Sequence, residues 1–523
     1  MPSARRAAHT RDRPIVTGNA LSAPAEEVRI EQAFREVAVA SHGLTAGNGR
    51  PELRLWVATA LHRFRFRCAI GTPNVSEVLS VKLASRRLLA VISVAALVAS
   101  ACSSSNATTA PSGGGGGVTN VEVVSWWTTG GEASGFNAII NKFNTDNPTI
   151  HVTNSAIAGG AGSVAQAALQ NRVLNGTPPD SFQVHMGHEL LDTYVTPGYM
   201  DNLDDLYAAN GWTTQFPKGV LSIVSAKDAA GTTHYYSVPL DIHRANVLWY
   251  NKTVFTANNL TPPATWDQFL TDAAALQAKG ITPLAVGDNG IWASGMLLEV
   301  ILLAQLGATG YDGLWTGATD WTSADVTKAL TTFKTVLGYI NTDHSSLTWD
   351  QAADYLIPAS AGAQPKAAMT MMGDWAAGEF DNKTFTDYGW VAAPGTDKIY
   401  DALADSFGLP SKAADKDAVK KFLTLLGSAA GQDIFNPYKG SIPANSTAGN
   451  PPAGAKQYSA YQTWALGEWK ADAIVPSLEH GAAAAPSWKG AWETAVTAFV
   501  SNPDVPTIQT ALAQACKDAK VCK

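Results

Sequence analysis

The sequence predicts an α/β protein in which strands and helices alternate around an open, parallel, doubly wound sheet. Three observations favour this class. Short β-branched runs alternate with helical patterns from Asn120 onward. The early strands end in polar or aromatic residues, at the edge where open α/β sheets bind ligands. The 523 residues also provide length for two or more domains with large cores.

The first predicted strand, residues 121–125, delivers two tryptophans to its carboxyl end. Trp126 and Trp127 are followed by a turn and by Glu132, and a helix with one apolar face then begins. An indole beside a carboxylate suits a sugar, because ring C–H groups stack on the indole while hydroxyl groups need acceptors. We expect Trp127, which is nearer the turn, to stack on the ligand and Trp126 to pack inside the protein. The alternative is that both indoles belong to the core.

The same patterns identify the remaining elements in order. Further strands are predicted at residues 150–154, 180–185, 235–240, 247–251, 281–286 and 367–372. Helices are predicted at residues 163–175, after Thr265, at residues 292–306, and around residues 326–337 and 419–426. No internal repeat is evident.

Composition disfavours several classes of protein. Charged residues make up only 15% of the chain and it holds 16 tryptophans, which disfavours a disordered chain. From Cys102 onward, 23 Lys and Arg residues stand against 37 Asp and Glu residues, a formal net charge near −14. An acidic exterior argues against a nucleic-acid partner and against a polybasic membrane contact.

Residues 81–101 have the pattern of a signal peptide. Three basic residues precede an 11-residue apolar run, which is too short for a spanning helix of about 20 residues. Small residues and Cys102 follow this run. Residues 98–102 resemble the lipobox of bacterial lipoproteins, which implies that Cys102 is lipidated and becomes the new N-terminus. An ordinary secretory signal with an incidental cysteine is the alternative.

The segments on either side of this signal carry no predicted fold. Residues 1–80 are rich in arginine and lack clear periodicity. We expect Met1 to be a misassigned start, with translation beginning at Val81. Residues 102–118 are rich in Ser and Gly and are predicted to form a flexible tether. A lipid anchor and this tether would hold the following domains at the extracytoplasmic face of the membrane.

Two cysteines, Cys516 and Cys522, lie close together at the C-terminus. In an exported protein an even pair is expected to form a disulfide. A metal site would need more ligands than two thiols, and none lies nearby in the sequence. We therefore predict a disulfide that holds the end of the chain.

Seven segments carry motifs in one consistent order. They are SWWTTGGE (125–132), GTPPDSFQVHMG (176–187), VPLDIHRANVLWYN (238–251), MGDWAAG (372–378), DSFGLP (405–410), GQDIFNPYKGSIPA (431–444) and SLEHGAAAAP (477–486). Together they resemble the extracellular solute-binding proteins of bacterial ABC sugar importers, and most nearly the glucose/mannose (aldose) binding type. The resemblance extends from Asn120 to the C-terminus.

The resemblance implies a periplasmic-binding-protein-like fold, in which two α/β lobes joined by hinge strands hold a sugar in the cleft between them. The chain is expected to cross between lobes near residues 239–244, 391–394 and 438–441. The N-terminal lobe would comprise residues 119–240 and 392–438, and the C-terminal lobe residues 241–391 and 439–523. The implied partners are a monosaccharide, an ABC permease and, through the lipid anchor, the membrane. We expect a monomer without cofactor, metal or nucleic acid.

The resemblance also implies which residues bind the sugar. Gln183 and His185 alternate on one strand, so both point to the same face, and they match a binding pair of the family. Asp374 and Lys439 match residues that hydrogen-bond the sugar, and His480 matches a histidine from the other lobe. The predicted ligand-binding set is Trp126, Trp127, Glu132, Gln183, His185, Trp292, Asp374, Lys439 and His480.

Several of these residues have a second interpretation. Glu132 could be a favourable charge in the first turn of its helix, and Asp374 could cap the helix that follows it. His185 and His188 have the spacing of a metal site but lack a third ligand nearby. His243 and Arg244 are interpreted as hinge structure.

An enzyme is the alternative to a binding protein. Glu132 and Asp374 could be the paired carboxylates of an extracellular glycoside hydrolase, which are set about 5–10 Å apart. Donors and acceptors around stacking indoles favour ground-state binding, whereas a general acid needs a site that raises its pKa. We therefore expect no catalytic activity.

Overall fold

The computed structural model describes residues 118–159 and 162–522. The predicted leader, the signal peptide and Cys102 lie outside the described residues, as does the predicted tether apart from Val118.

The described residues form fifteen strands, numbered in chain order. They are β1 (Thr119–Val124), β2 (Ile150–Asn154), β3 (Ser181–His185), β4 (Ser225–Lys227), β5 (Thr233–Tyr235), β6 (Ser237–Pro239), β7 (Asp241–Arg244), β8 (Val247–Asn251), β9 (Thr282–Ala285), β10 (Ala367–Met371), β11 (Tyr388–Ala392), β12 (Ile399–Leu403), β13 (Asp405–Gly408), β14 (Ile442–Pro443) and β15 (Ala473–Pro476). Each strand predicted from the sequence is present, within a few residues of its expected bounds.

The described α-helices number seventeen. They are α1 (Gly130–Asp146), α2 (Ser163–Leu174), α3 (His188–Leu190), α4 (Asp204–Asn210), α5 (Trp212–Gln215), α6 (Lys218–Ile223), α7 (Lys252–Ala257), α8 (Trp266–Gln277), α9 (Trp292–Thr316), α10 (Ala324–Val336), α11 (Trp349–Ala353), α12 (Trp375–Asn382), α13 (Lys416–Gly427), α14 (Ala429–Lys439), α15 (Ala460–Ala471), α16 (Pro486–Ser501) and α17 (Val505–Asp518). Single turns of other helix types lie at Leu191–Val195, Leu337–Tyr339, His344–Ser346 and Asp354–Leu356.

The first sheet joins β2, β1, β3, β13 and β6 in that order. β1 pairs in parallel with β2 and with β3, as the alternation of strands and helices predicted. β13 is antiparallel to both of its neighbours, β3 and β6. The sheet is therefore mixed rather than purely parallel, because β13 runs opposite to the other four strands. The predicted apolar face of α1 is buried.

The molecule has a two-lobed α/β fold. Two further sheets lie outside the first one. The second sheet has the order β11-β8-β10-β9, and the third has the order β14-β7-β12-β15. In the third sheet β7 is antiparallel to β12 and β14, while β12 and β15 are parallel. β4 and β5 form a separate two-stranded sheet.

The strand pairing locates three changes of sheet. The chain leaves the first sheet between β6 and β7, returns between β12 and β13, and enters the third sheet again after α14. The predicted return at residues 391–394 falls at the end of β11 of the second sheet, before β12 of the third, and the chain re-enters the first sheet at β13. The lobe boundaries remain a prediction.

The long apolar helix α9 is part of the core. Its length and composition would allow it to cross a membrane. Its backbone is broken at Gly307, where φ is 66° and ψ is 174°, and nearly all side chains from Trp292 to Leu303 are buried. This helix therefore behaves as a core helix of its lobe.

The predicted disulfide is present between Cys516 and Cys522. Cys516 has no exposed surface, and the bond ties the end of α17 to the end of the chain. Closing so small a loop restricts the unfolded chain and contributes about 2 kcal/mol.

We expect the double variant C516A/C522A to lose about 2 kcal/mol of unfolding free energy in a denaturant titration. Reduced wild-type protein should lose a similar amount, and an unchanged midpoint in both would contradict the stabilising role.

Candidate functional site

A cavity of about 240 Å³ lies where strands of the first and third sheets meet. Among the described residues, its lining is rich in aromatic, imidazole and carboxylate groups. These groups belong to Trp126, Trp292, Trp349, Trp375, His185, His243, His480, Glu132, Asp350 and Asp405, and the ammonium group is that of Lys439. The cavity therefore offers apolar faces beside many hydrogen-bonding groups.

The structure reverses the predicted roles of the two adjacent tryptophans. Trp126 lines the cavity, and its ring centroid lies 5.0 Å from that of His185. Trp127 is only 1% exposed and packs against Phe136 and Phe435 with centroid separations of 5.2 and 4.8 Å. The strand ends at Val124 and the backbone bends at Trp126, so the alternation along β1 does not continue to these residues.

A glycine brings the following loop against this indole. A Cβ atom at Gly162 would lie 2.9 Å from Cδ2 of Trp126, and φ of Gly162 is +105°. Both the close approach and the positive φ require glycine here. Gly162 also lines the cavity, together with Ala158 and Gly159 of the same loop.

Gln183 and His185 both lie on β3, but only His185, the last residue of the strand, lines the cavity. The Oε1 atom of Gln183 accepts a hydrogen bond from the backbone N–H of Trp126 at 3.1 Å, and its Nε2 donates to Oδ1 of Asp405 at 2.9 Å. Gln183 thus holds two lining residues in place from behind.

His185 is held by carboxylates on both sides of its ring. Nδ1 lies 2.8 Å from Oε2 of Glu189, and Nε2 lies 3.8 Å from Oδ1 of Asp405. Burial by itself would lower the pKa of His185, but the charge of Glu189 raises it. The imidazole therefore tends towards its cationic form, in which it donates hydrogen bonds.

Glu132 and Lys439 form an ion pair in the lining of the cavity. Their side chains are 14% and 3% exposed. Burial raises the pKa of Glu132, and Lys439 opposes that shift. Burial would lower the pKa of Lys439, but the carboxylates of Glu132 and Asp405 raise it. The Lys439 Nζ atom also lies 5.6 Å from the ring centroid of Trp375, which is within cation–π range.

Trp292 and His480 line the cavity from parts of the chain outside the first sheet. Trp292 is the first residue of α9, and its ring centroid lies 6.1 Å from that of His480. Nδ1 of His480 is 2.8 Å from Oγ of Ser477. Burial lowers the pKa of His480 well below its ordinary value, with the charge of His185 acting in the same sense. A neutral imidazole offers one donor and one acceptor.

Asp374 does not line the cavity, which corrects its predicted place. The residue has no exposed surface. One carboxylate oxygen contacts Nδ1 of His243, and the other accepts from the backbone N–H of Arg244 at 3.1 Å. No side-chain cap joins Asp374 to helix α12. The carboxylate therefore positions His243, whose ring lies between it and the cavity.

His243 lies at the centre of a buried charge cluster. Nε2 is 3.0 Å from Oδ2 of Asp241 and 3.3 Å from Oδ2 of Asp405. Burial alone would lower the pKa of His243, but the charges of Asp241 and Asp374 raise it well above the ordinary value. Candidate metal-ligand atoms of Asp241, His243 and Asp405 lie within 4.8 Å of one another. Both ring nitrogens of His243 already face carboxylates, Nδ1 that of Asp374 and Nε2 those of Asp241 and Asp405, so we interpret the group as an ionic cluster.

Five aromatic or charged residues of the lining were not predicted from the sequence: His243, Trp349, Asp350, Trp375 and Asp405. Trp375 and Asp405 lie inside two of the quoted motifs, MGDWAAG and DSFGLP. The motifs therefore indicated the correct segments but not these two residues. His243 was interpreted only as hinge structure. Trp349 follows Thr348 in TWDQ, the pattern of a helix capping box, and that pattern announces a helix start rather than a binding site.

The two-lobed α/β fold and its aromatic, polar cavity have the form of a solute-binding protein. The model of the bacterial extracellular solute-binding protein family matches residues 127–433. An uncharacterized ABC transporter extracellular-binding protein of Pyrococcus horikoshii is 34% identical over 402 residues, which is 76% of this chain and 87% of that protein. The chain therefore belongs to the family of bacterial extracellular solute-binding proteins, which confirms the resemblance at the level of the family.

Two further comparisons agree with this assignment. A protein of Rhizobium meliloti named "probable sugar-binding periplasmic protein" is 29% identical over 335 residues, covering 62% of this chain and 76% of that protein. The solved structure of a bacterial solute receptor with a substrate preference for β-D-galactopyranose superposes with a TM-score of 0.65. It is 23% identical and covers 77% of this chain and 99% of that one, so it supports the fold alone.

Proposed function

We propose that this protein captures a monosaccharide, glucose or a similar aldose, and delivers it to the membrane permease of an ABC importer. The observation that carries the proposal is the small cavity, in which indole faces lie beside imidazole, carboxylate and ammonium groups. Its volume of about 240 Å³ lies below the roughly 300–1,000 Å³ of sites for drug-sized ligands. A single sugar ring suits such a space.

The chemistry of the lining supports a polyhydroxylated ligand. Each hydroxyl group needs a donor and an acceptor, which the imidazoles of His185 and His480 and the Glu132–Lys439 pair supply together. The indoles of Trp126 and Trp375 supply apolar faces for ring C–H groups. The name of the Rhizobium relative points to the same ligand class.

We also propose that the protein is held to the membrane through a lipid on Cys102. The support is the sequence pattern of residues 81–102. A tethered receptor at the extracytoplasmic face would remain near the permease that accepts its ligand.

The hydrolase interpretation names Glu132 and Asp374 as its two carboxylates, and the positions of these residues do not support that pair. It requires Glu132 and Asp374 on either side of a bound sugar, but Asp374 is fully buried behind His243. Glu132 is engaged by Lys439. We therefore favour a binding protein, and turnover of an aryl glycoside by the purified protein would contradict this choice.

Isothermal titration with glucose, galactose, mannose and xylose tests the proposed function. We expect one aldose to bind with a 1:1 stoichiometry. Trp126→Ala should weaken that binding about tenfold to hundredfold, because it removes a stacking face from the cavity.

A matched control separates stacking from general damage. Trp390 is also half-buried, lies on β11 away from the cavity, and packs against Tyr461. Trp390→Ala should leave the affinity within about threefold of wild type. Equal affinities of the Trp126 and wild-type proteins would remove Trp126 from the site, and no binding of any aldose would refute the proposed function.

A further inference from the structure

We infer that Trp349 sets the length of the ligand: its indole closes the mouth of the cavity and restricts the site to one sugar ring. This inference rests on the proposed function and adds the size limit of the substrate class. It assigns a specificity-determining role to a residue outside the predicted binding set.

The position of Trp349 follows from the gradient of exposure along the cavity. Asp405 and Lys439 are 2% and 3% exposed, so they form its floor. Trp349 is half-buried, and the first-lobe loop at Ala158 and Gly159 is exposed. All of these residues line one cavity, and exposure rises from Asp405 and Lys439 towards Ala158 and Gly159. Trp349, which is half-buried, therefore lies at the mouth of the cavity.

The orientation of the indole makes it a wall rather than an extended stacking platform. Its ring centroid lies 6.5 Å from that of Trp375, and the two ring planes are inclined by 82°. Because the two indole planes are inclined in this way, two sugar rings joined in line cannot stack one on Trp375 and the other on Trp349. The ring centroid of Trp375 lies 5.4 Å from that of His480, which is buried. A row of aromatic rings therefore runs from the buried end of the cavity to its mouth.

The backbone that carries Trp349 is fixed. Thr348 begins α11 with a capping box that includes Gln351. The preceding residues are bonded to the loop before α9, since the N–H groups of Asp288 and Asn289 donate to the carbonyls of His344 and Leu347 at 2.8 and 3.0 Å.

A glycine in that loop keeps the two segments in close contact. A Cβ atom at Gly287 would lie 2.1 Å from the carbonyl oxygen of Thr348, so only glycine permits this packing. The indole is therefore held by a rigid support and does not need to move aside like a lid.

The inference is tested by titrating wild-type protein and Trp349→Ala with glucose, maltose and cellobiose. Wild type should bind the aldose and neither disaccharide. Trp349→Ala should bind at least one disaccharide at least about tenfold more tightly than wild type does. Its affinity for the aldose should fall by less than about tenfold. Trp390→Ala should gain no disaccharide binding.

Each other outcome is decisive. Binding of disaccharides by wild type as tightly as the aldose overturns the size limit while leaving sugar binding intact. A folded Trp349→Ala that binds the aldose but gains no disaccharide also overturns it. Trp349→Val provides the same test if the alanine variant does not fold. Failure of wild type to bind any sugar overturns the proposed function and this inference together.

Discussion

Lys439→Met is expected to lower the free energy of unfolding by about 3–5 kcal/mol, because it leaves the buried carboxylate of Glu132 without its cation. The ammonium group also lies in the field of Asp405 and Asp241, whose charges raise its pKa. Its loss would therefore leave the cavity floor with uncompensated negative charge. Chemical denaturation gives the loss of stability, and titration with the bound aldose should show weaker binding.

A double-mutant cycle with Glu132→Gln isolates this pair. The double variant should be more stable than the sum of the two single losses predicts, since neither partner is left charged and alone. A matched control is Lys416→Met, whose pair with Asp201 spans 2.6 Å with side chains 42% and 35% exposed. That exposed pair should contribute no more than about 1 kcal/mol. Similar losses at Lys439 and Lys416 would contradict the importance of burial.

Asp374→Ala is expected to reduce stability by about 3–5 kcal/mol rather than to act only on ligand affinity. The carboxylate is fully buried and holds both His243 and the backbone of Arg244. Its removal leaves the imidazolium of His243 with fewer charges to stabilise it. The pKa of His243 should therefore fall, which proton NMR of the histidine ring can follow.

The pH dependence of this loss has a definite sign. The pKa of His243 is raised in the folded protein, so its contribution is fully present below the unfolded pKa of about 6.5 and is lost as pH rises through the folded pKa. The stability difference between wild type and Asp374→Ala should thus be largest below about pH 6.5. Asp205→Ala, which removes a 60% exposed partner of Lys420, provides the surface control. A variant with normal stability but weak sugar binding would restore the direct role predicted for Asp374.

The parts of the fold that local periodicity determines were predictable. Strand β1, the apolar face of α1 and the cap of α8 at Thr265 all follow from spacings within a few residues. The antiparallel place of β13 could not be predicted in this way, because its partners β3 and β6 lie far away in the chain. Sheet order is decided by long-range packing rather than by local pattern.

In the candidate site, too, local sequence patterns predicted some features, while others depended on long-range packing. The motifs led to Trp126, Glu132, His185, Lys439 and His480, which the structure brings to one cavity. They could not tell which side chains line the cavity and which stand behind the lining. A bend of one residue exchanged the two indoles, and the ring of His243 came between Asp374 and the ligand space. Trp349 carried no signal, because its contribution depends on the contact between two loops.

The order of strands in the first sheet also affects how the protein folds during synthesis. β13 lies between β3 and β6, yet it follows β3 by more than two hundred residues. A ribosome must therefore release β7 to β12, which include every strand of the second sheet, before the centre of the first sheet can close. Pairings at such separation form slowly and leave strand edges exposed in the meantime. A chain truncated before Asp405 would hold unpaired edges on both β3 and β6 and should be recognised by chaperones and proteases.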